Sequence, residues 1–287
     1  MPTLKAIKGR IKSVKSTQQI TKAMNLVATS KLSRAREKLK KERAYSEQTR
    51  LLLARIAQDM DLKLHPYFVS SHGERSLILL ITGDRGLCGG YNTNACRVCL
   101  DLVKEERHTE FICVGSKGRD YYSRRGKTVV RTFTGITETP FFSDAHEISE
   151  EVLEAFDSDV YDSVYLVYTK FHTVVSYEPI AMRLLPIDVS ELPEPQDGIS
   201  AAQMSFEPEE DSAIVEHAVL RYVEALIFNA LCESAASQLA SKMVSMETAT
   251  DNAEKMISTL TLTFNRARQA KITQELTEIV AGANALK

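Results

Sequence analysis

Gly83-Asp84-Arg85-Gly86-Leu87-Cys88-Gly89-Gly90-Tyr91-Asn92 follows an apolar run and precedes a helical pattern. A glycine-rich turn in that position can cradle a dinucleotide pyrophosphate. The spacing here is G-x-x-G-x-x-G-G rather than G-x-G-x-x-G. Gly126-Lys127-Thr128 has the tail of a phosphate-binding G-x-x-x-x-G-K-[ST], but Tyr121 stands where its first glycine belongs. A tight turn or a partner-facing loop is the plainer reading. Cys96 and Cys99 form a C-x-x-C, with only Cys88 and Cys113 near enough in sequence to complete a zinc set. A redox pair would sit at a helix N-terminus, where the thiol pKa falls. This pair falls in mid-helix, so the two thiols share one face and read as core. The histidines are scattered without an H-E-x-x-H, and no Ser/His/Asp or Cys/His arrangement can be read. No catalytic residue, cofactor site or metal site is assigned.

Charge is the second chemical signal. Residues 1–50 hold 14 Lys and Arg against Glu37, Glu42 and Glu47, so this segment is strongly basic although the chain is -2 overall. Residues 137–165 and 188–216 contain acids and neither Lys nor Arg. A basic arm suits nucleic acid, an anionic membrane or an acidic protein. Stacking aromatics are missing from the arm, whose first is Tyr45. Lys5, Lys8, Lys12, Lys15 and Lys22 recur at helical spacing, as on a helix facing solvent or acidic protein loops.

These residues need elements to position them. Residues 10–65 and 209–281 contain neither Gly nor Pro. Two long helices flanking a punctuated centre follow. The second segment would reach on the order of 110 Å if unbroken, too long for an ordinary globular domain. It carries Leu239, Met243, Met246, Thr250, Ala253, Ile257, Leu260, Phe264, Ala267 and Lys271 in alternating four-three spacing, a coiled-coil seam. Ile7, Ile11, Val14, Gln18, Thr21, Asn25, Ala28, Leu32, Ala35 and Leu39 form a weaker match. The two segments can pair antiparallel, because the centre returns the chain.

The centre alternates strand and helix. Strands are expected at 76–82, 110–115, 128–133, 160–168 and 174–185, and helices near 93–106, 117–125 and 143–156. That order predicts a mostly parallel sheet with helices on both faces. The fold class is therefore α/β: a long antiparallel coiled coil of terminal helices and a central Rossmann-like domain. The expected division is 1–65, 66–208 and 209–287. The longest aliphatic run, Leu77 to Ile81, falls far short of the ~20 residues that span a bilayer. The N-terminus has no apolar leader, and an odd count of five cysteines suits a reducing compartment.

Two stretches carry a family resemblance. Residues 7–32, Ile-Lys-Gly-Arg-Ile-Lys-Ser-Val-Lys-Ser-Thr-Gln-Gln-Ile-Thr-Lys-Ala-Met and onward, resemble the N-terminal helix of the γ subunits of F-type ATP synthases. Residues 272–286, Ile-Thr-Gln-Glu-Leu-Thr-Glu-Ile-Val-Ala-Gly-Ala-Asn-Ala-Leu, resemble that family's C-terminal signature, and Thr82 to Asn92 is similar to its post-strand loop. The resemblance covers the chain in order. It implies a rotor shaft standing in a ring of α and β subunits, with the central domain at the foot beside the ε subunit and the membrane c-ring. Proton or sodium flow would turn the shaft, and ATP chemistry would occur on β.

By the same resemblance Met24 matches a coupling position near an acidic β loop. Arg268, Gln269 and Thr273 match residues that bond to β. Asp84, Arg85 and Cys88 match a loop facing β's lower lobe. Leu276, Ile279, Val280 and Leu286 would form an apolar bearing tip. The family's plastid regulatory cysteine insertion is not seen, and Cys96 and Cys99 lie outside its motif. The lack of a transit segment favours the cytoplasmic face of a bacterial membrane, reached only through the complex. Taken on residues alone, two other readings stay open: a Rossmann-like nucleotide-dependent enzyme with helical arms, and a basic coiled-coil binder of nucleic acid.

Overall fold

In the computed structural model, which describes residues 3–59, 65–69, 75–105, 108–193 and 211–285, each terminal segment is one helix. They are α1 (Leu4–Asp59) and α5 (Asp211–Ala285). Between them lie β1 (Arg75–Ile81), α2 (Tyr91–Glu105), β2 (His108–Val114), α3 (Ser116–Ser123), β3 (Val129–Phe133), α4 (Phe142–Asp157), β4 (Ser163–Phe171) and β5 (Tyr177–Leu185). The chain divides into two compact units, residues 1–28 with 243–287, and residues 29–242.

The first unit is a helix pair. Thr21 Oγ1 lies 2.8 Å from Thr250 Oγ1, and Asn25 Nδ2 donates to Met243 O at 2.9 Å. Ascending numbers on α1 meet descending numbers on α5, so the pair is antiparallel. Ile7, Thr21, Ala28, Met246 and Ala253 are buried, and the seam residues between them are half-buried. Small and hydroxyl side chains at the seam let the backbones approach, while burying less apolar surface than leucines would. The seam ends at Ala267: Lys271, the last residue of the expected pattern, is exposed. Leu32, Ala35, Leu39 and Leu239, which continue the two patterns, belong to the second unit and are buried or half-buried there.

The second unit holds a sheet of order β3-β2-β1-β4-β5. The first four strands run parallel, because each connection between them carries a helix. β5 returns antiparallel to β4 after the turn at 172–176, too short for a crossover. β4 starts later than expected because Asp162 is held in a turn, its carboxylate accepting Arg75 N at 3.0 Å and its own N–H donating to Arg75 O at 2.8 Å. β1 is buried along its length from Ser76. Ile78 and Leu80 face α2 and α3 with Phe111, Cys113 and Val167. Cys96 and Cys99 belong to this cluster, and the Tyr122 hydroxyl donates to Cys96 O at 2.7 Å. They are core cysteines.

Strand order reverses between β1 and β4, so right-handed crossovers place α4 on the other face. There His146 Nδ1 of α4 lies 2.6 Å from Glu224 Oε1 of α5, and Phe142 meets Phe228 edge-on. From Val219 to Ser241 nearly every α5 residue is buried. A helix covered on all sides needs apolar or small residues around its whole circumference. Ser234-Ala235-Ala236-Ser237 meets that need.

Candidate partner-contact site

In doubly wound sheets ligands occupy the crevice beyond the carboxyl ends of the strands where the order reverses. Here that point lies between β1 and β4, and α5 fills it. β1 pairs with β4 only as far as Val167, which leaves the β1-facing edge of Thr169 and Phe171 without a strand partner. Ser234 Oγ accepts Thr169 N at 3.3 Å, Ser237 Oγ donates to Thr169 O at 3.2 Å, and Glu233 Oε2 accepts Phe171 N at 2.8 Å. Ser241 Oγ donates to Cys88 O at 2.6 Å in the glycine-rich loop.

The same packing explains Gly83. A Cβ there would lie 2.6 Å from Gln238 Nε2, and Gly83 N already donates to Asn92 Oδ1 at 2.7 Å. The glycine admits a helix side chain where a nucleotide fold would admit a phosphate. Gly115 is equally constrained, with φ +95 and the site of its missing Cβ 2.4 Å from Thr82 O.

Asp84 ties together the ends of three strands. Its carboxylate accepts Ser116 N at 3.0 Å, Gly135 N at 2.9 Å and Thr137 Oγ1 at 3.1 Å. Arg85 beside it is exposed, whereas Cys88 is 1% exposed and accepts from Asn92 Nδ2 at 3.2 Å. Burial raises the Cys88 thiol pKa, more than Lys242 and the nearby hydrogen bonds lower it. Of these three expected contact residues, Arg85 is the one whose side chain is exposed. A cleft of about 490 Å³ opens beside it, lined by Lys31, Ser116, Glu138 and Gln238 among others. Burial pushes Cys96 and Cys113 up to about 12, so neither supplies a thiolate at neutral pH. Among the described residues no group of His, Cys, Asp and Glu could hold a metal ion.

Glu138 escaped the sequence reading. Burial disfavours its charge, but hydrogen bonds from Lys242 and Lys31 and their charges prevail and hold the carboxyl down at about 2. Glu233 was missed as well. It is almost wholly buried, and Arg43 Nε donates to it at 2.9 Å. The uninterrupted small-residue run around Glu233 was the available signal. For Glu138, one acid in a loop of 137–140, sequence offered none.

The remaining expected contacts lie in the first unit. Met24 is half-buried beside the seam. Arg268, Gln269 and Thr273 are exposed, with Thr273 Oγ1 donating to Gln269 O at 3.0 Å along the helix. Every described side chain from Arg268 to Ala281 is exposed. Leu276, Ile279 and Val280 are 57%, 68% and 58% exposed, so more than half of each is left open by the described residues. Leu286 lies outside the described residues.

The sequence model of the ATP synthase family matches residues 3–286. The ATP synthase gamma chain of Desulfitobacterium hafniense is 43% identical over 289 residues, with both chains covered completely. That of Halothermothrix orenii is 40% identical over 288 residues, also with complete coverage of both. The chain belongs to the ATP synthase gamma chain family. Among solved structures, a chain of the central stalk and c-ring of Tetrahymena thermophila mitochondrial ATP synthase is 26% identical, with a TM-score of 0.62 over 80% of this chain and 99% of that one. A chain of the Euglena gracilis mitochondrial ATP synthase shares the fold, at a TM-score of 0.69 and 21% identity over 99% of this chain and 94% of that one.

Proposed function

We propose that this chain is the central rotor shaft of an F-type ATP synthase, carrying torque between the c-ring and the catalytic β subunits and so coupling ion translocation to ATP synthesis or hydrolysis. The observation that carries this reading is the end of α5. Past Ala267 it continues as an exposed helix bearing Ile272, Leu276, Ile279 and Val280. Exposed apolar residues in series on a helix call for a sleeve. In this reading the α and β subunits supply it, and Leu276, Ile279, Val280 and Leu286 turn within it as a bearing.

The basic face fits the same assignment. Lys5, Lys8, Lys12, Lys15 and Lys22 are all exposed along α1. Acidic loops on β would be drawn to such a stripe from a distance, without one fixed geometry. A shaft passing several equivalent sites needs contacts that differ between states rather than contacts strong in all of them. Met24, Arg268, Gln269 and Thr273 are assigned to β, as is the loop of Asp84, Arg85 and Cys88, with Arg85 reaching the partner and the other two shaping the loop. The ε subunit and the c-ring would attach at the foot formed by the central domain, 66–208, between the arms 1–65 and 209–287. The chain would take no part in bond making, which belongs to β. Among the described residues no helix is long and apolar enough to cross a membrane, in keeping with attachment through the complex at the cytoplasmic face.

The test is rotation. The chain is assembled with the α and β subunits, the ring is fixed to a surface and a bead is attached to the α/β unit. ATP should turn the bead in one direction. A complex that hydrolyses ATP while the bead only fluctuates would overturn the proposal.

A further inference from the structure

The α/β unit has to grip two helices if twist is to pass through it. Glu138, in the connection between β3 and α4, binds both. One carboxylate oxygen accepts Lys31 Nζ of α1 at 2.6 Å, and the other accepts Lys242 Nζ of α5 at 2.6 Å. Such charge-assisted bonds are short and strong. Lys242 is only 12% exposed and Glu138 22%, so solvent and salt screen this pairing less than an open surface pair.

The loop around Glu138 is itself anchored. Asp84, at the end of β1, holds Gly135 N and Thr137 Oγ1 through one carboxylate oxygen. Lys38 of α1 donates to Pro140 O at 2.5 Å, and its ammonium lies 4.8 Å from the Phe228 ring of α5. A continuous set of contacts therefore runs from the sheet through Asp84 and the loop to Glu138 and both helices. Lys242 is the last residue of the second unit, and Lys31 is the third residue from its start on α1. The carboxylate grips the helices where they leave the unit.

We infer that Glu138 is a torsional clamp, a positioning residue that locks α1 and α5 to the sheet together, so that twist entering either helix loads both. This inference rests on the rotor reading. Without the clamp the tie that joins α1 and α5 to the loop at the edge of the unit is lost, and the shaft softens. Glu138→Gln keeps the shape and removes the charge.

The measurement is the angular fluctuation of a bead on the α/β unit of the assembled, surface-fixed complex, recorded while the shaft dwells between ATP-driven steps. The angular distribution should widen for Glu138→Gln, and also for Lys31→Met and Lys242→Met. It should narrow again in the charge-inverted variant Glu138→Lys with Lys31→Glu and Lys242→Glu. A purely local contribution to stability would shift the melting temperature and leave the angular width alone. Wild-type width in the assembled Glu138→Gln complex overturns the clamp and leaves the rotor reading standing. If Glu138→Gln does not assemble, wild-type width in both lysine variants does the same. A wild-type bead that ATP does not turn overturns the rotor reading, and the clamp with it.

Discussion

Single residues here are fixed by what approaches them. Gly83 and Gly86 stand in one loop and look alike in sequence. A Cβ at Gly83 would meet Gln238 and Asn92, whereas one at Gly86 would meet nothing within 4 Å. Gly83→Ala should cost about 1–3 kcal/mol in urea denaturation, the usual range for overpacking. Gly86→Ala should lie within about 0.5 kcal/mol of wild type. Equal effects at both would mean that α5 does not press on this loop. Glu138 has a pH signature. Its folded pKa, about 2, is below the ordinary value of 4.5, so its contribution is fully present above 4.5 and is lost as pH falls towards 2. The stability gap between wild type and Glu138→Gln should therefore be constant from neutral pH to about 5 and close below 4.5. A gap that persists unchanged at pH 2 would rule out the ionised carboxylate as its source.

Elements here are held by what their neighbours lack. β4 outruns β1, and its bare edge is completed by Ser234, Ser237 and Glu233 of α5 rather than by a strand. Arg43 of α1 neutralises Glu233 and also donates to Phe171 O. Arg43→Met should leave Glu233 with its charge unmet and cost about 2 kcal/mol by thermal or chemical denaturation, the loss expected for a hydrogen bond to a charged group. Glu233→Gln in the same chain should recover part of that loss, since no ion is then left unpaired. In the helix pair, Thr21 and Thr250 satisfy each other and each also bonds within its own helix. The seam thus keeps polar groups that are paired and small ones that fit, in place of a leucine stripe.

On the scale of the whole molecule, the chain separates what makes it stable from what makes it useful. The described side chains from Arg268 to Ala281 are exposed, so truncation after Ala267 should leave the melting temperature of the remainder within about 2 °C of the full chain, as expected for removal of exposed surface. In the proposed rotor, torque of the assembled complex should fall, because the bearing tip and the contacts proposed for Arg268, Gln269 and Thr273 would be lost. A large drop in melting temperature would show that the tip packs within its own chain.

Sequence alone determined the elements and their type. The gaps in Gly and Pro set the two helices, the four-three spacing set their paired faces, and β1 announced itself by five consecutive aliphatic residues. These signals are local, written in periods of two and three and a half residues along the chain. The resemblance of residues 7–32 and 272–286 supplied the family. Sequence also rejected a nucleotide fingerprint at Gly83 on spacing, but it could not say what the glycines were for. Only the tertiary structure decided that α5 fills the crevice and that Cys88 is inside. It also placed Asp84 across three strand ends and Glu138 between two helices more than a hundred residues apart in number from its partners. Such meetings depend on where the chain returns after long excursions, and no local period records that.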